Sequence, residues 1–300
     1  MARVAFAPAK VNLFLHVGAP LGVPGEGGFH PICSLMAFAD LGDRVSTFDA
    51  EALALRVAGP FAAGLSAQDD NLVMRAARAL IAEARRPLAP VGLSLEKHLP
   101  VASGLGGGSS DAGAALRLLR ETFDLPISDV RLEALAASLG ADGAACLWGA
   151  PVIAQGRGER LSAAPGLPVL DAVLVSPRVA VSTAEVYRRL DLDGRFGDVT
   201  PPAAPEAFED AIDLAAWLTG QRNDLEAPAI ALAPQVGAVL ETLANEPETL
   251  LARVSGSGGT CFALCAGDIE AEGLAERLEA MAPDWWVRRC RLGGPWPDPA

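Results

Sequence analysis

The run from Lys97 to Asp111, Lys-His-Leu-Pro-Val-Ala-Ser-Gly-Leu-Gly-Gly-Gly-Ser-Ser-Asp, limits what this chain can fold into more than any other stretch. A strand pattern over Val91–Lys97 leads into it, and Ala112, Ala115, Leu116 and Leu119 continue at helical spacing after it. The unit is therefore strand, small-residue loop, helix. Glycines let main-chain N–H groups turn inward and admit a ligand without Cβ clashes, while the helix N-terminus adds the positive end of its dipole. Such a loop is an anion cradle. Ser109 and Ser110 add hydroxyl donors, and Ser110 is a candidate magnesium ligand. A bare glycine turn, or a helix cap by Ser109 or Asp111, is the plainer alternative; the strand-to-helix context and the paired serines favour the cradle. The loop is not a Walker loop, since it lacks a Gly-Lys-Ser/Thr ending. Nor is it a dinucleotide fingerprint, since Ser109 stands where the third glycine belongs.

A formal charge of −13 argues against nucleic acid or an anionic membrane as partner, because both require a basic face. A bound phosphate must then rest on backbone N–H groups and a few placed cations. Lysine occurs only at Lys10 and Lys97, with arginine supplying the rest of the positive charge. An ammonium at Lys10, within Ala7-Pro-Ala-Lys-Val-Asn12, suits a transferring phosphoryl group or a neighbouring carboxylate; a solvated surface lysine is the alternative. Asp142, in Gly140-Ala-Asp142-Gly143, is a carboxylate among small and apolar residues, hence a candidate base, or else a turn or C-cap aspartate. Val254-Ser-Gly-Ser-Gly-Gly-Thr-Cys-Phe262 is a second small-residue loop, either a tight hairpin or a place where backbone approaches a ligand.

Length suggests two domains over a shared cleft, and the apolar content of 51% supports folded cores. The first part is strand-heavy, with extended segments at Val11–Val17, Ile32–Phe38, Arg44–Phe48, Leu53–Val57 and Val91–Lys97, a glycine- and proline-rich loop from Ala19 to Phe29, and a helix over Asn71–Ala84. A further helix starts at a Ser128 cap. From Val169 a strand–helix, then strand–strand–helix–strand order suits an α+β sandwich of the split βαβ type. The expected division is 1–162, 163–292 and a flexible tail at 293–300. Five scattered cysteines without CxxC spacing, and three dispersed histidines, point to reduced thiols in a cytoplasm and away from a transition-metal site. The start does not read as a signal peptide and no apolar stretch is long enough to cross a bilayer, so a soluble chain is expected.

Taken together, Ala7–Leu15, Leu99–Gly113 and Val254–Ala263 resemble the three ordered motifs of the galactokinase, homoserine kinase, mevalonate kinase and phosphomevalonate kinase (GHMP) superfamily. Further likeness lies in Gly28-Phe29-His30, Asp70-Asn71-Leu-Val, Leu139-Gly-Ala-Asp142, Gln155-Gly-Arg157-Gly158-Glu159 and Asn223-Asp224-Leu225. It is similar to the branch that phosphorylates the 2-hydroxyl of 4-diphosphocytidyl-2-C-methyl-D-erythritol in the non-mevalonate isoprenoid pathway. The resemblance implies an α+β two-domain GHMP kinase fold, an N-terminal ribosomal-protein-S5-like part and a C-terminal ferredoxin-like sandwich. It also implies ATP with magnesium as cosubstrate, a small-molecule cytidyl diphosphate substrate, and a monomer or weak homodimer. The catalytic pair would be Lys10 and Asp142. Pro100, Val101, Ala102, Ser103, Gly104, Leu105, Gly106, Gly107, Gly108, Ser109 and Ser110 would hold the ATP phosphates. Phe29, His30 and Tyr187 would hold the cytosine, and Asn12, Ser182 and Thr183 the methylerythritol or phosphate side. Phe29 stands where tyrosine is usual, and Gly143-Ala144 replaces a bulkier Val-Pro, which bears on the rigidity of Asp142. Homoserine or mevalonate kinase activity is the nearest rival, and a non-catalytic ligand-binding relative the more distant one. A hydrolase would need an activated nucleophile with a histidine nearby, which the pattern lacks.

Overall fold

Strands β1 (Val4–Val17) and β2 (Ile32–Phe48) pair antiparallel from Val4↔Ser46 to Val17↔Ile32 and form the spine of the sheet. The computed structural model describes residues 3–22, 28–65, 67 and 70–298, so residues 23–27 of the expected glycine loop lie outside the described residues. Both strands are longer than the sequence pattern predicts, and β2 is continuous where two strands are expected. Gly42-Asp43 has the composition of a turn, which hides the continuity. A Cβ at Gly42 would fall 2.2 Å from the Ala7 carbonyl oxygen, so glycine serves a close strand approach there. The polar residues of β1 are covered as well: Lys10, Asn12 and His16 are all buried.

Next along the chain, β3 (Ala54–Ala58), α1 (Leu72–Glu83) and β4 (Gly92–Glu96) make a parallel strand–helix–strand unit. Asn71 starts α1 by accepting a hydrogen bond from the Val73 N–H at 2.9 Å. Helix α2 (Gly107–Thr122) carries two glycines in its first turn, each costing up to about 1 kcal/mol relative to alanine. Burial of Leu116 and Leu119, about 2 kcal/mol apiece, offsets them. Helix α3 (Asp129–Leu139) begins at the Ser128 cap, whose hydroxyl accepts from the Arg131 N–H at 3.3 Å. The short α4 (Gly143–Trp148) and the hairpin of β5 (Val152–Gly156) and β6 (Arg160–Ala163) escape the sequence pattern. Their alanine- and glycine-rich composition carries little periodicity.

The remainder runs β7 (Leu170–Ser176), α5 (Thr183–Asp193), α6 (Ala211–Thr219), α7 (Glu226–Leu232), α8 (Pro234–Asn245), β8 (Thr249–Val254), β9 (Cys261–Cys265), α9 (Asp268–Met281) and β10 (Trp286–Gly293). Its strands lie in the order β10-β7-β9-β8, all antiparallel, as a split βαβ sandwich requires. Leu292 and Gly293 pair with Ala39 and Phe38, so β10 joins β2 and one sheet runs through the described molecule. Past β10 the expected loose tail is instead tethered as far as Asp298. The Trp296 indole N–H donates to the Phe38 carbonyl at 2.8 Å, and Asp298 accepts from the Phe6 N–H at 2.8 Å. An indole donor and a carboxylate acceptor that each find a backbone partner explain the difference. Residues 299 and 300 lie outside the described residues. Among the described residues no helix is long and apolar enough to cross a membrane, and the five cysteines are buried and unpaired.

Candidate active site

The loop from β4 to α2 owes its path to where other backbone lies. Gly104 has φ +80°, and a Cβ there would meet the Ser255 carbonyl oxygen at 2.3 Å and that of Gly258 at 2.7 Å. Only a residue without a side chain lets the two small-residue loops touch. Gly106, at φ +64°, is the residue that starts α2, and its missing Cβ leaves room for the Lys10 stem 3.1 Å away. The first N–H groups of α2 have no partner within the helix and face outward from its end. Residues Pro100 to Ser109 line a cavity of about 740 Å³ together with Lys10, Asn12, Asp142, Ser182, Thr183 and Tyr187.

Lys10 enters that cavity from β1 at a register shift between Pro8 and Lys10. Its main-chain N–H donates to the Leu105 carbonyl at 2.8 Å, which ties β1 to the loop. The ammonium donates to Asn12 Oδ1 at 2.5 Å and approaches the Gly104 carbonyl at 3.4 Å and Asp142 Oδ2 at 3.4 Å. Asn12 is itself fixed, since its amide donates to Ser34 Oγ at 2.7 Å and that hydroxyl donates to the Phe14 carbonyl at 2.6 Å. Asp142 occupies the residue before α4, yet its carboxylate caps no N–H there and remains free for Lys10. The glycine after it has a packing reason: a Cβ at Gly143 would lie 1.9 Å from the Ala136 carbonyl oxygen of α3. The missing side chain at Gly143 thus seats α4 on α3, which anchors the residue after Asp142 without Val-Pro.

A buried charge cluster under the loop was visible in the sequence only as the scarcity of lysine. Lys97 donates to Asp111 at 2.8 Å and to Asp43, while Asp43 Oδ1 accepts the His98 and Leu99 N–H groups at 2.5 and 2.9 Å. Burial pulls the Lys97 ammonium toward neutrality, but Asp111 and Asp43 outweigh it and raise its pKa. Burial drives the Asp111 carboxyl well above the usual range against the pull of Lys97, and Asp43 adds to the rise. One ammonium is thus shared by two carboxyl groups in a dry site. The cluster joins β2, the end of β4 and α2 directly beneath Gly107.

At the other end of the cavity, Ser182 caps α5 and Thr183 Oγ1 lies 2.7 Å from Ser257 Oγ. The Tyr187 hydroxyl is pushed up by burial and then by Asp142, so it stays neutral. His30 packs against Tyr187 with ring centroids 5.1 Å apart. Its Nδ1 donates to the Gly18 carbonyl at 2.9 Å, and Nε2 lies 3.2 Å from Asp191 Oδ1. Phe29 is 56% exposed, with the Arg157 guanidinium over its ring. The fold thus gathers Lys10, Asp142, Asn12, Ser182, Thr183, Tyr187 and the loop on one cavity wall. Phe29, His30 and Ser110 lie off that wall. Ser110 faces inward from α2, fully buried, its Oγ without a hydrogen-bond partner, while Ser109 faces the cavity. The sequence alone assigns no role to Arg157, Ser257 or the Lys97 cluster; their only signals are the two glycine motifs around 155–159 and 255–259 and a rare lysine.

Residues 71–150 match the GHMP kinases N terminal domain and residues 203–284 the GHMP kinases C terminal domain. A 4-diphosphocytidyl-2-C-methyl-D-erythritol kinase of Caulobacter sp. (strain K31) is 61% identical over 293 residues, 97% of this chain and 99% of that protein. The crystal structure of a 4-(cytidine 5'-diphospho)-2C-methyl-D-erythritol kinase superimposes with a TM-score of 0.73 at 34% identity, covering 98% of this chain and all of the other. Homoserine kinase from Cytophaga hutchinsonii shares the fold, with a TM-score of 0.68 at 18% identity over 98% of this chain and 94% of its own. The chain belongs to the GHMP kinases, ATP-dependent small-molecule kinases, within the family of 4-diphosphocytidyl-2-C-methyl-D-erythritol kinases.

Proposed function

We propose that this chain transfers the γ-phosphoryl group of ATP to the 2-hydroxyl of 4-diphosphocytidyl-2-C-methyl-D-erythritol, a step of the non-mevalonate isoprenoid pathway. The observation that carries the reading is one cavity in which Lys10 Nζ stands 3.4 Å from Asp142 Oδ2 beside a glycine loop that opens a helix. Asp142 accepts the hydroxyl proton, the freed oxygen bonds to the γ-phosphorus, and the bond to the β-phosphate oxygen breaks to release ADP. Lys10 stabilises charge moving onto the transferred group, and main-chain N–H groups from Gly104 to Ser109 hold the phosphates. Ser110 Oγ, buried and off the cavity wall, does not fit as a ligand for the magnesium that accompanies ATP, whereas Ser109 faces the cavity; when bound, that ion would neutralise phosphate charge.

Tyr187, His30 and Phe29 hold the cytosine, and Asn12, Ser182 and Thr183 the rest of the substrate. Residues 1–162 act as the ATP-binding part and 163–292 as the substrate-cleft part, and both contribute to the cavity wall. Buried, unpaired thiols suit a reducing cytoplasm, where such a kinase works as a monomer or weak homodimer. The test is incubation of purified protein with magnesium-ATP and the cytidyl substrate, following ADP release and a product heavier by one phosphoryl group. Homoserine and mevalonate serve as comparison substrates. Turnover of either, with none of the cytidyl compound, would overturn the reading.

A further inference from the structure

We propose that Arg157 grips the diphosphate of the nucleotide-linked substrate, a role that rests on the function proposed above. Arg157 sits at the tip of the β5–β6 hairpin between Gly156, at φ +72°, and Gly158, at φ +111°. A Cβ at Gly158 would lie 2.6 Å from the Ala141 carbonyl oxygen, so the hairpin tip is pressed against the residue preceding Asp142. The guanidinium carbon of Arg157 lies 3.2 Å from the centre of the Phe29 ring. Arg157, which lines the cavity, therefore links its Asp142 side to the Phe29 ring just off its wall. In a substrate with a base at one terminus and a polyol at the other, the stretch between those two is where the diphosphate lies.

Charge singles out the same residue. Among the described residues, three cations line the cavity: Lys10, Lys97 and Arg157. Lys10 is paired with Asp142, and Lys97 is shared between Asp43 and Asp111. The guanidinium of Arg157 has no carboxylate partner among the described residues; the nearby Glu159 carboxylate instead accepts the Arg157 main-chain N–H at 2.6 Å. In a protein of net charge −13, a diphosphate needs such an uncommitted cation, and the planar fork matches phosphate oxygens in pairs. Without substrate the guanidinium rests on the Phe29 ring by cation–π attraction. When it swings to the diphosphate it bares that ring face for the base.

Steady-state kinetics of the full chain and of Arg157→Ala, with cytidine and CDP as competing inhibitors, test the role. The variant should raise KM for the cytidyl substrate at least about tenfold with kcat within about threefold, because the contact is present in both ground and transition states. CDP should lose at least about tenfold in affinity while cytidine keeps its own, which also shows that the base end is still folded. Arg157→Lys should recover part of the loss. An unchanged KM, or equal weakening of CDP and cytidine, would overturn the role of Arg157 alone. Absence of any turnover of the cytidyl substrate by the unaltered protein would overturn the parent function with it.

Discussion

Lys10 is held by shape as much as by charge. Its stem runs under Gly106, and its ammonium is shared among an amide oxygen, a carbonyl and the Asp142 carboxylate. A guanidinium is larger and planar, so Lys10→Arg should displace the loop, and Lys10→Met should leave Asp142 without its counter-charge. Kinetics on Lys10→Met should show kcat reduced about a hundredfold or more, with the KM for ATP altered less than tenfold. Equal loss in both would mean that Lys10 only binds nucleotide. The residue was legible because this chain uses arginine for every formally cationic side chain except Lys10 and Lys97. Asp43 was not legible, because a buried carboxylate beside glycine has the same letters as a turn; only Lys97 and two N–H groups in three dimensions show why it is tolerated.

Among the elements, the decisive contact is between the loop opening α2 and the loop between β8 and β9. The sequence shows both as glycine-rich, but their mutual packing depends on a sheet order that no local pattern encodes. Gly194→Ala provides the contrast, for that residue is left-handed at φ +61° with nothing near its absent Cβ. It should cost about 1 kcal/mol from backbone strain alone. Gly104→Ala adds a backbone clash to the same strain and should cost at least about 3 kcal/mol in urea unfolding, with weakened ATP binding. Equal costs at the two positions would show that the loops can part freely. The buried cluster linking β2, β4 and α2 should be more costly still to break singly. Lys97→Met leaves two carboxylates in a dry site, and the expected loss is about 3–5 kcal/mol by urea unfolding.

Across the whole molecule, the strand–helix order after Val169 was readable from periodicity, whereas α4 and the β5–β6 hairpin were not. Their glycines and alanines take their places from contacts with α3 and with Ala141, not from propensity. Global stability should carry an acid limit through His16. Burial chiefly, then Arg222, lowers its pKa from 6.5 to about 4, with Asp224 opposing and Arg253 adding to the fall. The folded form therefore favours the neutral ring; the stability this confers is complete above pH 6.5 and is lost as pH drops toward 4, amounting to about 3 kcal/mol. His16→Gln should flatten that part of the urea-midpoint-versus-pH curve, and an unchanged slope would place the titration elsewhere. The function stands on a narrower base, one carboxylate facing a glycine loop across a shared cavity. Turnover and ATP affinity of Asp142→Asn, assayed with the cytidyl substrate, test it most directly: kcat should fall at least about a hundredfold while nucleotide affinity stays within a few-fold. Near-normal turnover would contradict the assignment of Asp142 as the group that takes the hydroxyl proton.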